Sequence, residues 1–133
     1  VATTFTLAQS CSTVTSEITF YGEPDNSPSG CDIAYDCGRG YTAGGDGSYT
    51  DPLTFASSPD EFTPCQVVYV PYLKKYLRME DQCEQCIDDW PGKYHIDIWT
   101  SPNNDCVNGG TDQINCEDDL TPSAEQEVVV DPP

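Results

Sequence analysis

Basic side chains are scarce in this sequence. Its 133 residues include 5 Lys and Arg against 23 Asp and Glu, which gives a formal charge of −18. Phosphate contacts require basic side chains, so nucleic acids and anionic membranes are poor partners, whereas cationic or neutral polymers are favoured. Apolar runs long enough to span a bilayer, about 20 residues, are also absent. We therefore expect a mature, soluble, exported chain, and no signal peptide remains at Val1.

Long helical periodicity and histidine pairs are missing too. The lack of a sustained 3.6-residue pattern argues against a helical protein. With a single His, Cys83-x-x-Cys86 has metal-like spacing but no second pair to complete a zinc site. Its acidic flanks raise thiol pKa values and disfavour a thioredoxin-type role. We expect neither a metal nor a cofactor.

Cysteine, by contrast, is abundant. Eight Cys residues predict four disulfides formed in an oxidising, extracellular setting, with 105 possible connectivities left open. The length fits one domain, expected to be a monomer. We predict that residues 1–120 form this domain. Residues 121–133 are acidic and contain Pro, so they are expected to form a tail or linker, with a disordered end favoured over an edge strand at 128–130.

Short apolar or alternating runs bounded by Gly and Pro predict strands. They occupy residues 3–7, 17–22, 53–56, 66–70, 74–81 and 94–100. This pattern indicates a mostly-β domain with long loops stapled by disulfides, closed into a barrel or a sandwich.

The alternation is strictest in residues 94–100. It places two isoleucines on one face of a strand and His95, Asp97 and Trp99 on the other. Asp81 ends the preceding strand, and the connection between the two contains a Pro-Gly turn. We therefore expect two strands to deliver Asp81 and Asp97 to one neighbourhood.

Several motifs along the chain resemble those of double-psi β-barrel proteins. They are Thr19-Phe20-Tyr21-Gly22, Val67-Val68-Tyr69-Val70, Met79-Glu80-Asp81 and His95-Ile96-Asp97-Ile98-Trp99. The resemblance covers roughly residues 17–120. It extends to expansins, family-45 endoglucanases, and the lytic transglycosylases and 3D domains that act on peptidoglycan, and it implies a six-stranded double-psi β-barrel.

The resemblance also implies site residues. His95-Ile96-Asp97 is similar to the His-Phe-Asp motif that supplies the key acid in expansins and family-45 enzymes. Asp81 and Asp97 resemble the two aspartates of the 3D and lytic transglycosylase group, whose spacing fits better, although Gln82-Cys83 replaces the usual Gly-Gly. The base of family-45 enzymes follows the first strand, where this chain has Asp25.

Cleavage of a glycosidic bond needs a protonated acid at the leaving oxygen. Asp97 is the expected acid, with its pKa raised by apolar neighbours or by Asp81. Asp25 is a candidate base for inverting hydrolysis; without a base, one carboxyl serves as acid and then as base in a lytic transglycosylase reaction. Aromatic rings stack on sugars. The residues expected to bind or support the sugar are Tyr21, Tyr69, Trp90, Trp99 and His95.

We expect a secreted enzyme that cleaves a β-1,4-linked cell-wall polysaccharide, with peptidoglycan favoured and cellulose or chitosan next. The alternative is an expansin-like protein that binds and loosens polysaccharide without cutting it. A third possibility is a disulfide-stapled defence module of the barwin kind, which shares the barrel and needs no aspartate pair.

Overall fold

The computed structural model describes residues 12–101 and 106–133. In these ranges six strands form a closed barrel in the order β1-β5-β2-β4-β3-β6. The strands are β1 Ser12–Tyr21, β2 Leu53–Ser57, β3 Val67–Val70, β4 Lys75–Gln82, β5 Tyr94–Trp99 and β6 Gln126–Val130. The helices are α1 Glu84–Asp89, α2 Gly110–Leu120 and a 3₁₀ helix, Glu23–Asp25. The mostly-β prediction is confirmed, and the strand expected at 3–7 lies outside the described residues.

The strand pairings of the barrel are symmetric. β1 pairs parallel with β5 and β2 parallel with β4, whereas the β1–β6, β3–β4, β2–β5 and β3–β6 pairs are antiparallel. Exchanging the first three strands with the last three (β1 with β4, β2 with β5, β3 with β6) reproduces every pairing. The two halves therefore interlock, and each needs the other for closure.

Alternating side chains fill the barrel. Ile96 is 0% exposed and Ile98 1% exposed, which confirms the alternation predicted for β5. Ile18 and Phe20 are the corresponding buried positions of β1. Asp97 and Thr19, which lie between these residues in sequence, therefore project from the outer face of the barrel.

Three disulfides link the described residues: Cys31–Cys106, Cys37–Cys65 and Cys83–Cys86. They indicate an oxidising environment. The fourth expected disulfide is not seen among the described residues. Cys116 is an exposed free thiol, and Cys11 lies outside the described residues.

The prediction of a tail from residue 121 is wrong. β6 inserts between β1 and β3 and closes the barrel, with Val128 opposite Val14 and Val130 opposite Val68. The acidic and Pro-rich flanks suggested disorder, but Val128 is completely buried. Burial of this apolar segment outweighs the local composition.

Replacing Val128 with Ala should destabilise the fold by about 2 kcal/mol, because two buried methyl groups are lost and a cavity remains. Val129, which is only partly buried, is the matched control, and its replacement by Ala should cost well under half as much. Urea unfolding of both variants measures the difference. Equal, small losses would mean that β6 does not belong to the barrel.

Two helices were not expected from the sequence. α1 occupies the connection between β4 and β5, where the sequence predicts a turn, and α2 occupies residues 110–120, where the sequence predicts no strand or helix. α1 begins where the Cys83 sulfur accepts a hydrogen bond from the Cys86 N–H at 3.0 Å. Neither helix has the length and apolar character needed to cross a membrane, which holds for the described residues.

Candidate functional site

A row of four residues crosses the outer face of the barrel. Thr19 is in register with Asp97, Asp97 with Ala56, and Ala56 with Asp81. Neighbouring strands lie about 4.8 Å apart, so the two aspartates flank Ala56 with Cα atoms roughly 10 Å apart. Strand β2 lies between β4 and β5, and its pairing with both strands places Asp81 and Asp97 in one neighbourhood, as expected.

A β-bulge brings Asp81 into this row. Phe55 is opposite Met79, but the next residue, Ala56, is opposite Asp81, so Glu80 is the extra residue of β4. Strict alternation would direct Asp81 to the same side as the buried Met79. The bulge resets the alternation and turns Asp81 toward Asp97, as bulges near functional sites commonly do.

Asp97 is a partly buried carboxyl whose proton is held unusually tightly. Burial raises its pKa to about 7, and the negative charges of Asp25 and Asp81 contribute to the rise. Thr19 opposes it by donating a hydrogen bond from Oγ1 to Oδ1 over 2.9 Å. At neutral pH a substantial fraction of Asp97 is protonated and able to donate its proton.

Both carboxylate oxygens of Asp81 accept hydrogen bonds. Its Oδ2 accepts from the Tyr21 hydroxyl at 2.8 Å, and its Oδ1 accepts from the backbone N–H groups of Ala34 and Gln82 at 3.0 and 2.9 Å. Burial raises the pKa of Asp81, and these three donors hold the rise back. Burial and the Asp81 charge raise the pKa of Tyr21 far above its usual value, so its hydroxyl remains a donor. Asp81 is thus a fixed electrostatic neighbour of Asp97.

His95 is connected to Asp97 through Thr19. The imidazole is 3% exposed, and its Nε2 lies 2.9 Å from Thr19 Oγ1. On its other side Nδ1 lies 2.9 Å from an Asp89 oxygen and 3.1 Å from a Glu17 oxygen. His95 therefore supports the threonine that contacts Asp97 and does not face open solvent.

Replacing Thr19 with Val should raise the pKa of Asp97 further, because the hydroxyl that stabilises the carboxylate is removed while the β-branched shape is kept. Thr19→Ser retains the hydroxyl and is the control. Carbon-detected NMR titration of the Asp97 carboxyl measures both variants. An unchanged or lower midpoint in Thr19→Val would contradict the assigned role of the hydroxyl.

A second pair of carboxyls lies beside this row. Asp25, exposed on the 3₁₀ helix, is in hydrogen-bonding contact with Glu117 of α2. Burial and Asp25 together raise the pKa of Glu117 to about 7. Sequence reasoning found Asp25 but missed Glu117. The available signal was the i, i+4 spacing of Gln113 and Glu117, which both contact Thr100.

The residues expected to bind sugar are placed differently. Tyr21 and Trp99 lie at the row, where their rings meet edge-on with centroids 5.1 Å apart, but they are only 6% and 2% exposed. They support the site and offer little ring surface. Tyr69 packs on Tyr76, which lies at the end of β4 away from Asp81. Trp90 packs on Tyr94, the first residue of β5. Neither ring is brought to the carboxyls.

An open groove of about 480 Å³ adjoins Asp81. It runs between the loop that contains Asp32 and helix α1, from which Glu84, Ile87 and Asp88 line it. Ile87 is 42% exposed. The groove thus combines apolar side chains with several carboxylates, one of which, Asp81, belongs to the row.

One group of described residues has metal-ligand geometry. The ligand atoms of Glu17, Asp89 and His95 lie within 4.8 Å of one another. The Lys93 ammonium lies 3.2 Å from Glu17 and 3.9 Å from Asp89, so the chain itself supplies a cation there. Cys83 and Cys86 also lie near His95, but their sulfurs are joined in a disulfide.

The fold and the site define a disulfide-linked, six-stranded β-barrel protein with a cluster of high-pKa carboxyls on its outer face. The chain belongs to the family described as the DDB_G0273701 N-terminal domain, whose model matches residues 13–133. It is 42% identical over 130 residues to the uncharacterized protein DDB_G0273701/DDB_G0273221 of Dictyostelium discoideum. That alignment covers 96% of this chain and 55% of the relative, so the chain spans about half of the relative's length. No solved structure matches the chain.

Proposed function

We propose that this chain is a secreted carbohydrate-active enzyme that cleaves a β-1,4-linked cell-wall polysaccharide with Asp97 as general acid. One observation carries the proposal: Asp97 is a proton-holding carboxyl, with a pKa of about 7, in the same outer-face row as Asp81, which lines an open groove. General acids work best when their pKa lies near the operating pH. Strongly shifted carboxyls in or beside a cleft are typical of catalytic sites.

The strand arrangement supports a double-psi β-barrel. Its two interlocked three-strand halves exchange with every pairing preserved, and the central antiparallel contact is β2 with β5. That contact includes Asp97 and Ala56, so the proposed acid lies near the symmetry axis that relates the halves. The motifs of residues 19–22, 79–81 and 95–99 lie on β1, β4 and β5 or at their ends.

Asp97 would protonate the glycosidic oxygen as the bond to the leaving sugar breaks. Asp81, anchored by three donors, would keep Asp97 protonated through its charge. Asp25, an exposed carboxylate, is the candidate base, and a water molecule activated by it would give inverting hydrolysis. Where no water is activated, the sugar's own hydroxyl completes the reaction and an anhydro end results.

Peptidoglycan is the favoured polymer, because the sequence spacing of Asp81 and Asp97 resembles that of the 3D and lytic transglycosylase group. Cellulose and chitosan are the next candidates. The groove residues Asp32, Glu84 and Asp88 suit the ammonium groups of chitosan. Three disulfides agree with secretion. No nucleic acid or membrane partner is proposed.

An expansin-like protein, which binds and loosens polysaccharide without cutting it, is the second candidate. The observation that favours it is that both oxygens of Asp81 already accept hydrogen bonds, three in all, so Asp81 is a fixed neighbour of Asp97 and not a freely available second catalytic carboxyl. A single acid near a groove fits polysaccharide binding without turnover.

The test is product analysis by mass spectrometry after incubation with purified peptidoglycan, cellulose and chitosan at pH 5–7. Wild type should release soluble products from at least one polymer, Asp97→Asn should not, and Asp60→Asn, an exposed control, should behave as wild type. Reducing or anhydro ends distinguish hydrolysis from transglycosylation. Polymer binding by all three proteins without any product would overturn the enzyme proposal and support the expansin-like one.

A further inference from the structure

We propose that Glu117 is a positioning residue that holds a proton shared with Asp25 and thereby orients Asp25 as a carboxylate beside Asp97. The proposal rests on the proposed function and deepens it, because it assigns a role in the site to α2. Asp25 is the member of the pair that reaches solvent, whereas Glu117 acts only through it.

The surroundings of Glu117 favour the protonated form of its carboxyl. The side chain is 2% exposed, and its Oε2 accepts a hydrogen bond from Thr100 Oγ1 at 2.6 Å. Thr100 is itself fixed, because its backbone N–H donates to the Tyr21 carbonyl at 2.9 Å. The other oxygen, Oε1, is buried without a donor among the described residues. An ionised Glu117 would leave that oxygen unsatisfied.

Gly22 allows α2 to approach this closely. A Cβ at this position would lie 2.9 Å from Glu117 Oε2, and the Gln113 amide nitrogen would be closer still. The same glycine donates its backbone N–H to Asp25 Oδ1 at 2.7 Å. Gly22 therefore sets the positions of both carboxyls at once.

Two carboxyls in hydrogen-bonding contact need a proton between them, because neither oxygen is otherwise a donor. The buried member keeps it, since burial penalises the charged form. The Glu117 O–H then donates to the Asp25 carboxylate, which is held by this donor and by the Gly22 N–H. The pair carries one negative charge while the proton is present and two after its loss.

The groups around Glu117 reinforce this state. The elements packed against α2 carry Glu23 and Asp25 on the 3₁₀ helix and Glu17 and Tyr21 on β1. The charges of Asp25 and of Asp97 on β5 both raise the pKa of Glu117. Among the described residues, no Lys or Arg forms an ion pair with it.

The decisive experiment needs no substrate. The Glu117 carboxyl is titrated by carbon-detected NMR in wild type, in Asp25→Asn, and in Asp119→Asn, an exposed control on the same helix. Asp25→Asn should lower the proton affinity of Glu117 about tenfold or more, because a partner charge is lost and a donor is gained. Asp119→Asn should leave it nearly unchanged. Equal midpoints in wild type and Asp25→Asn would overturn the proposal.

The activity readout separates this proposal from the proposed function. Glu117→Gln keeps an N–H donor for Asp25 but has no proton to lose, whereas Glu117→Leu removes the donor. Above the optimum pH, the cleavage rate of wild type should fall as two groups, Asp97 and Glu117, lose their protons. The cleavage rate of Glu117→Gln should fall as Asp97 alone loses its proton. Glu117→Leu should lose most of its activity although it folds. A two-ionisation fall in Glu117→Gln would overturn the proposal; no cleavage by any protein, with the NMR shift observed, would overturn only the proposed function.

Discussion

Replacing Asp97 with Asn should lower polymer cleavage by a factor of about 10² to 10⁴, the usual contribution of a general acid, and should make the fold more stable above pH 7. Asn keeps the shape and accepts the Thr19 hydrogen bond, but it has no proton to donate to a leaving sugar. A loss of function combined with a gain of stability is typical of a residue kept for its chemistry.

The stability effect follows from proton linkage. An unfolded Asp titrates near 4, whereas in the fold the pKa of Asp97 is about 7. The stability that protonation contributes is therefore complete below about pH 4 and is lost as the pH rises through about 7. At pH 8 wild type carries a buried charge that Asp97→Asn lacks, and the variant should be more stable by on the order of 2 kcal/mol.

Thermal unfolding at pH 5 and pH 8 measures this difference. The gap between Asp97→Asn and wild type should be clearly larger at pH 8, whereas Asp60→Asn should follow wild type at both values. A gap of the same size at both pH values would mean that Asp97 titrates as an ordinary surface carboxyl.

Replacing Glu80 with Ala should destabilise the fold by about 3–5 kcal/mol, the usual result of removing one member of a buried ion pair. Glu80 is completely buried. Arg39 Nε lies 3.2 and 3.3 Å from its two oxygens, and Arg78 Nε lies 3.1 Å from Oε2. Without Glu80, Arg39 keeps only its contacts with Asp51 and the Pro52 carbonyl.

The loss should also reach the site, because Glu80 is the bulge residue beside Asp81 and its ion pairs with Arg39 and Arg78 hold the bulge from the side chain. Urea unfolding measures the effect. Glu84→Ala, at an exposed position of α1, is the control and should change stability by less than about 0.5 kcal/mol. A loss below about 1 kcal/mol in Glu80→Ala would show that the buried network contributes little.

The sequence was most informative where local alternation agrees with the fold. In β5, Ile96 and Ile98 face the core and Asp97 faces outward, which is readable from a period of two. β6 was missed because Val128–Val130 is apolar on both sides, and its burial depends on pairing with β1 and β3, which are distant in sequence. The local composition of a segment does not reveal which distant strands it pairs with.

The site was only partly predictable for the same reason. Asp81 and Asp97 lie at recognisable strand positions, but the bulge at Glu80 that aligns them depends on the register with β2. α2 has few apolar residues, so its helical period is weak. Glu117 becomes a buried carboxyl only because Gly22 and Thr100 lie against it, and neither is near it in sequence.

The titration of the Asp97 carboxyl in the wild-type chain tests the central claim most directly. Selective labelling of aspartate carboxyl carbons, with Asp97→Asn to assign the signal, gives its midpoint by NMR without any assumption about the polymer. We expect the pKa of Asp97 to be about 7, so that the carboxyl can donate a proton at neutral pH. A midpoint near 4, the value of an ordinary aspartate, would contradict the account, because the row would then lack a general acid.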